Sequence, residues 1–488
     1  MSLRNLIVIS AVLLLASSFY SVAQSSSLSP EVRSYVKVDA PVVALTHVRV
    51  VDGTGAAARN DQNVILSAGK IQSVGDAAST PPPSGAKILD LHGSAVIPGL
   101  VMMHEHLYYT AGFSTTSEGK IAAPGPLINE VAYSFPRLYL AGGVTTMRTA
   151  GSLEPYTDLN VKKQIDAGKM PGPKIYVTGP YLEGADSFFP QMHELTGPDD
   201  ARKTVNFWAD QGVTSFKAYM NITRAELGAA IEEAHKRRIK VTGHLCSVGY
   251  REAAALGIDD LEHGPLFVDT EWVPGKQPDK CPSGKETYQS LLKQDVAGPG
   301  VQQMMHDLIQ HHVAVTSTLP VFELDIPNRP VYRKEVLDSM LPESQISYLR
   351  LRAEENDPNS IIQFKKELQF EHDFAKAGGL LLAGCDPTGI GGVLAGFGDQ
   401  REIELLVEAG FTPVEAIHIA TANGAEFLGE SARIGSIAPG KQADLVVIHG
   451  DPSTKIEDIE KVDIVFKEGV GYDSAKLIES VRGIVGLR

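Results

Sequence analysis

From about residue 95 to about residue 430 one pattern recurs: a helical stretch, a glycine, then a short apolar run that ends in a chemically capable residue. Four copies are plain. LAGGVTTMRT ends its apolar run in Arg148, ADQGVTSFKAY in Lys217, ALGIDDLEHG in His263 and AKAGGLLLAGCD in Asp386. The glycine supplies the left-handed stop of the preceding helix, and a short apolar run between such signals reads as a buried strand. IPGLVMMHEH, KIYVTG, KVTGH and HVAVTST complete a set of eight strands starting near 97, 144, 174, 213, 240, 259, 313 and 379. Eight strands alternating with helices predict an α/β fold, the (β/α)8 TIM barrel, in which reactive residues gather at the C-terminal strand ends. A doubly wound open sheet is the structural alternative. No G-x-G-x-x-G or G-x-x-x-x-G-K-[ST] follows a strand, which weakens it.

The first strand carries the densest chemistry. Val96-Ile97 and Leu100 to Met103 read as one buried run, followed by His104 and His106. Residues two apart on a strand point to one face, so extended backbone aims both imidazoles at a single point. Flanking segments have another character. Val42 to Leu91 reads as short alternating strands with turns, and Ile437 to Glu468 repeats that texture at the other end. The predicted layout is a leader over 1–23, the first part of a small β-sandwich domain over 24–94, the barrel over 95–430, and the rest of the sandwich with a terminal tail over 431–488. Thr412-Pro413-Val414-Glu415 predicts a capping box with proline at the first helical position. The long connections 264–310 and 321–375 follow barrel strands on the reactive side, where they can shape a pocket.

Met1 to Ala23 combines one cation, Arg4, with an apolar run from Leu6 to Leu15 and a small-x-small Ser21-Val22-Ala23. This is the layout of a secretory signal peptide cleaved near Ala23, so the mature chain is expected in the periplasm or outside the cell and off the membrane. The formal charge of −15 becomes −16 once Arg4 is removed, which disfavours nucleic acid and anionic lipid as partners. The three cysteines, Cys246, Cys281 and Cys385, are too few for a disulfide framework. Cys246 and Cys385 are expected to be small core residues.

Six residues at the predicted strand ends form the candidate site: His104, His106, Lys217, His244, His263 and Asp386. Several imidazoles with a carboxylate suit Zn2+ or a similar divalent ion. His235, His306, His311, His312, His372 and His418 fall on helical stretches and are read as surface or packing residues, and His47, His92 and His449 in the small β domain are given no catalytic role. VIPGLVMMHEH, GVTTMRTAG, TSFKAYM, VTGHLC, IDDLEHG, AGCDPTG and TANGAEFLG followed by IGSIAPGKQADLVVI resemble the amidohydrolase superfamily, in its imidazolonepropionase-like and Xaa-Arg or Xaa-Pro dipeptidase-like branch. The resemblance implies that His104, His106 and Asp386 bind one metal and His244 and His263 a second. Lys217, as a carbamate made with CO2, would bridge two zinc ions. An ammonium has no lone pair to give, whereas a carboxylated lysine offers two anionic oxygens. The resemblance also gives Tyr219 a place near the scissile carbonyl and His193 a substrate-facing one. The family often has an aspartate after Arg148; here Thr149 follows, so Arg148 is assigned a structural role only.

The implied reaction is hydrolysis of an amide-type C–N bond in a dipeptide or N-acyl amino acid, by a metal-bridged hydroxide. Asp386 would act as general base and then acid. Cyclic amide hydrolysis or deamination on the same site, and a non-catalytic metal- or ligand-binding barrel, stay open as alternatives. So does assembly into a homo-oligomer.

Overall fold

The computed structural model describes residues 28–110, 128–331, 333–388 and 391–487; the leader read over 1–23 lies outside the described residues. All eight expected strands are present: Leu100–Glu105, Val144–Thr149, Lys174–Tyr176 continued by Thr178–Leu182, Ser215–Ala218, Lys240–Gly243, Asp260–Glu262, Ala314–Ser317 and Leu381–Ala383. Every neighbouring pair within their two sheets is parallel. The third strand breaks at Val177. Leu100–Glu105, Val144–Thr149 and Lys174–Tyr176 therefore form one sheet, and the strands from Thr178–Leu182 to Leu381–Ala383 form another in chain order. Thr178 donates its N–H to Thr149 Oγ1 at 2.9 Å, and Asp386 N–H reaches His104 O at 3.0 Å. These bonds link the two sheets at both ends. Val144, Val241, Val315 and Leu381 are completely buried, as expected for parallel strands covered on both faces.

The helix stops follow the glycine reading. Gly143, Gly212, Gly257 and Gly378 all have positive φ, between 92° and 103°, where a Cβ is costly. Thr412 caps Pro413–His418 through Glu415 N, with the reciprocal Glu415 bond in place.

One boundary differs from expectation. Val96 and Ile97 belong to a separate strand, Ser94–Pro98, and the barrel strand starts at Leu100. Pro98 has no N–H to continue a ladder. A side chain at Gly99 would collide with Thr145, so the backbone turns there from one sheet into the other. Ser94–Pro98 pairs antiparallel with Leu445–His449 and parallel with the end of Val42–Val50. Both chain ends thus build one nine-stranded sheet, with six strands from before residue 99 and three from after residue 444.

The connection after the sixth strand carries helices Pro265–Val268, Gly284–Leu291 and Pro299–Gln310; the one after the seventh carries Leu319–Glu323, Lys334–Ser339, Pro342–Glu354 and Ser360–Lys376. Cys246 is not the lone core residue expected. It is disulfide-bonded to Cys281 across 35 positions, because the first of these connections folds back over the end of the fifth strand. Cys385 remains free and buried. Among the described residues no helix is long and apolar enough to cross a membrane.

Candidate functional site

Buried strand ends bring the six expected side chains to one place. His104 occupies the last turn of pleat in Leu100–Glu105, and His106 follows directly after that strand. Lys217 lies in Ser215–Ala218, His244 just past Lys240–Gly243, His263 just past Asp260–Glu262, and Asp386 three residues beyond Leu381–Ala383. Gly384 makes this approach feasible, since any Cβ there would strike the backbone of His104. His263 and Asp386 adopt φ of 77° and 47°. Left-handed backbone at residues other than glycine costs energy and concentrates at functional sites.

Asp386 is the hub. Its Oδ1 lies 3.3 Å from His106 Nε2, and its Oδ2 lies 3.7 Å from His104 Nε2 and 3.8 Å from His263 Nδ1. Ligand atoms of His104, His263 and Asp386 all fall within 4.8 Å of one another. Lys217 Nζ is 3.2 Å from His104 Nε2. The His244 ring stands 4.4 Å from that of His263, and Tyr219 lies edge-on to His244 at 5.1 Å.

The surroundings bias each group towards a ligand form. Burial pushes His106 down to about 4 and His244 down to about 3, so both imidazoles are neutral at physiological pH. Burial and the neighbouring Lys217 also lower His104. Burial opposes charge on Asp386, but the imidazoles of His104, His106 and His263 outweigh it and hold the carboxyl well below its ordinary range. Lys217 is lowered by burial too, which favours its free amine. Among the described residues, the buried His106 Nδ1 has no hydrogen-bond partner. Neutral nitrogens and an ionised carboxylate facing one small volume fit a divalent cation.

His193 is not brought into this cluster. It is exposed and pairs with Asp200 at 3.0 Å at the start of the helix Pro198–Gln211. Sequence reading passed over four other residues. Glu262 Oε2 lies 2.6 Å from His104 Nδ1, and the Thr318 hydroxyl lies 2.8 Å from His263 Nδ1. Tyr108 stacks on His106 at 4.4 Å and shares a 2.6 Å hydrogen bond with Tyr181. Only Glu262 left a usable signal: Asp260 and Glu262 alternate on a strand and must share a buried face. Beside His244 opens a cavity of about 400 Å3, walled by Met220, Phe267, Phe322, Tyr288 and the Cys246–Cys281 disulfide. Both long connections contribute to it.

No curated protein matches this chain significantly. Solved structures do. A putative prolidase from Bifidobacterium longum is 24% identical with a TM-score of 0.62, covering 90% of this chain and 98% of its own. A Xaa-Pro dipeptidase with methionine bound in its active site is 20% identical with a TM-score of 0.65, covering 88% and 100%. Bottromycin amidohydrolase is 20% identical with a TM-score of 0.66, covering 93% and 94%. At these identities the likeness shows the fold, a TIM barrel with α/β content. The model of the amidohydrolase family matches residues 95–269 and 382–470, more than half of the chain. The chain therefore belongs to the amidohydrolase family and is a hydrolase acting on C–N bonds.

Proposed function

We propose that this protein is an exported, zinc-dependent amidohydrolase that cleaves the amide bond of a dipeptide or an N-acyl amino acid. The observation that carries the reading is the convergence of His104, His263 and Asp386 within 4.8 Å, with Lys217 3.2 Å from His104. His104, His106 and Asp386 would hold one ion and His244 and His263 a second, with Lys217 bridging as a carbamate. Carboxylation by CO2 requires an unprotonated amine, and burial of Lys217 favours that form. Bound divalent ions acidify water and polarise the scissile carbonyl.

Asp386, ionised and within 3.3 Å of His106 Nε2, accepts the proton from the attacking water and returns it to the leaving nitrogen. Tyr219 stands beside His244 with its phenol pushed up by burial, so it stays protonated and can donate to the developing oxyanion. The exposed His193 takes no part in this scheme. A peptide-like substrate agrees with the likeness of the fold to a putative prolidase and a Xaa-Pro dipeptidase. Export rests on the 1–23 leader and agrees with the Cys246–Cys281 disulfide, since such bonds persist in oxidising compartments. We also read the barrel as closed, and the nine-stranded sheet as the small β-sandwich of residues 24–94 and 431–488. Val43, Leu66, Leu445 and Phe466 share its separate core.

The test is hydrolysis of a dipeptide and N-acyl amino acid library by the mature, zinc-loaded protein. Amide cleavage in the wild type is expected, with Asp386→Asn losing activity by about 100- to 10,000-fold while retaining most of its zinc. A zinc-loaded wild type that cleaves no amide, or an active Asn variant, would overturn the reading.

A further inference from the structure

Behind the six-residue cluster runs a buried chain of charges that the proposed chemistry does not use. The two oxygens of Glu262 face different partners. Oε2 meets His104 Nδ1 at 2.6 Å, and Oε1 accepts from Arg148 Nη2 at 2.9 Å. Arg148 also donates through Nε to the carbonyl of Met103 at 2.7 Å, the residue before His104, and pairs with Asp260 at 3.1 Å. Asp260 accepts the Thr316 hydroxyl at 2.8 Å. Glu262, Arg148, Asp260 and Thr316 are at most 1% exposed, so no solvent can substitute for these bonds.

A carboxylate paired with a guanidinium can only accept a hydrogen bond. Its contact with His104 therefore requires the ring proton on Nδ1, which leaves a bare lone pair on Nε2. That atom faces Lys217 and Asp386. Two of the other rings are held less firmly: among the described residues His106 Nδ1 has no partner, and His263 Nδ1 meets the Thr318 hydroxyl, which can donate or accept. We propose that Glu262 is a positioning residue, anchored by Arg148, that locks the tautomer and ring orientation of His104 for cation binding. This inference rests on the metal-site reading above, and adds that the barrel interior commits one histidine in advance.

Outer partners of this kind carry about 10- to 100-fold in metal affinity. Zinc affinity is measured for wild type and Glu262→Gln by competition with a chromophoric chelator, with circular dichroism to show that the variant is folded. A 10- to 100-fold weaker affinity in folded E262Q is expected. Unchanged affinity would overturn the inference alone, whereas a wild type that takes up no zinc would overturn the metal reading with it. A second measurement needs no variant: 15N spectra of metal-free, histidine-labelled wild type, with His104 assigned by substitution. They should show the proton of His104 on Nδ1. A proton on Nε2 would refute the inference even if E262Q fails to fold.

Discussion

His106 shows how the site can be neutral and buried at the same time. An imidazole in water takes up a proton near pH 6.5, but this one is held at about 4 because burial penalises its cation. Between those values the unfolded chain binds a proton that the folded chain refuses, so folding loses free energy as the pH falls. The contribution is whole above about pH 6.5 and drains away as the pH drops to about 4, amounting to about 3 kcal/mol for such a shift. Urea unfolding of the metal-free protein should therefore show a lower midpoint at pH 4.5 than at pH 7, and His106→Gln should flatten part of that slope. A midpoint independent of pH across this window would contradict the burial account.

At the scale of elements, the strands that carry the site were legible because glycine stops and apolar runs are local signals. Asp386, His263 and Lys217 could be placed at strand ends from their neighbours alone. The double role of IPGLVMMHEH was not legible. Apolar character is the same on both sides of Pro98-Gly99, and only the partner Leu445–His449, more than 300 positions away, separates the two strands. Glu262 was half legible: its alternation with Asp260 marks a shared buried face, but its partners Arg148 and His104 are met only in the fold. Cys246 and Cys281 were opaque, since a cysteine count carries no distance. The disulfide closes a span of 35 positions along the cavity wall next to His244. A loop of that length is worth about 3 to 4 kcal/mol. The Cys246→Ser/Cys281→Ser double variant should unfold at lower urea by a corresponding amount and bind substrate more weakly. Equal stability in oxidised wild type and double variant would show that the bond constrains nothing.

For the molecule as a whole, the nine-stranded sheet ties the chain's two ends together. Leu445–His449 lies between Ser94–Pro98 and Val462–Lys467, with Leu445 and Val447 fully buried. The tail continues the tie: Ser474 Oγ donates to Ala141 O at 2.8 Å, at the end of the barrel helix Ser134–Ala141. A chain cut after residue 430 would lose the central strand and leave Val96 and its neighbours without cover. Such a truncation is expected to lack a cooperative thermal transition and to expose apolar surface to a hydrophobic dye. A sharp transition in the truncated chain would mean that the barrel folds without the sheet.

That shared sheet also sets an order on synthesis. Until the ribosome has made Leu445–His449, more than 300 positions later, Ser94–Pro98 waits with one edge unpaired. Distant pairings of this kind form slowly. A nascent polypeptide of this design carries an open strand edge until that distant segment arrives.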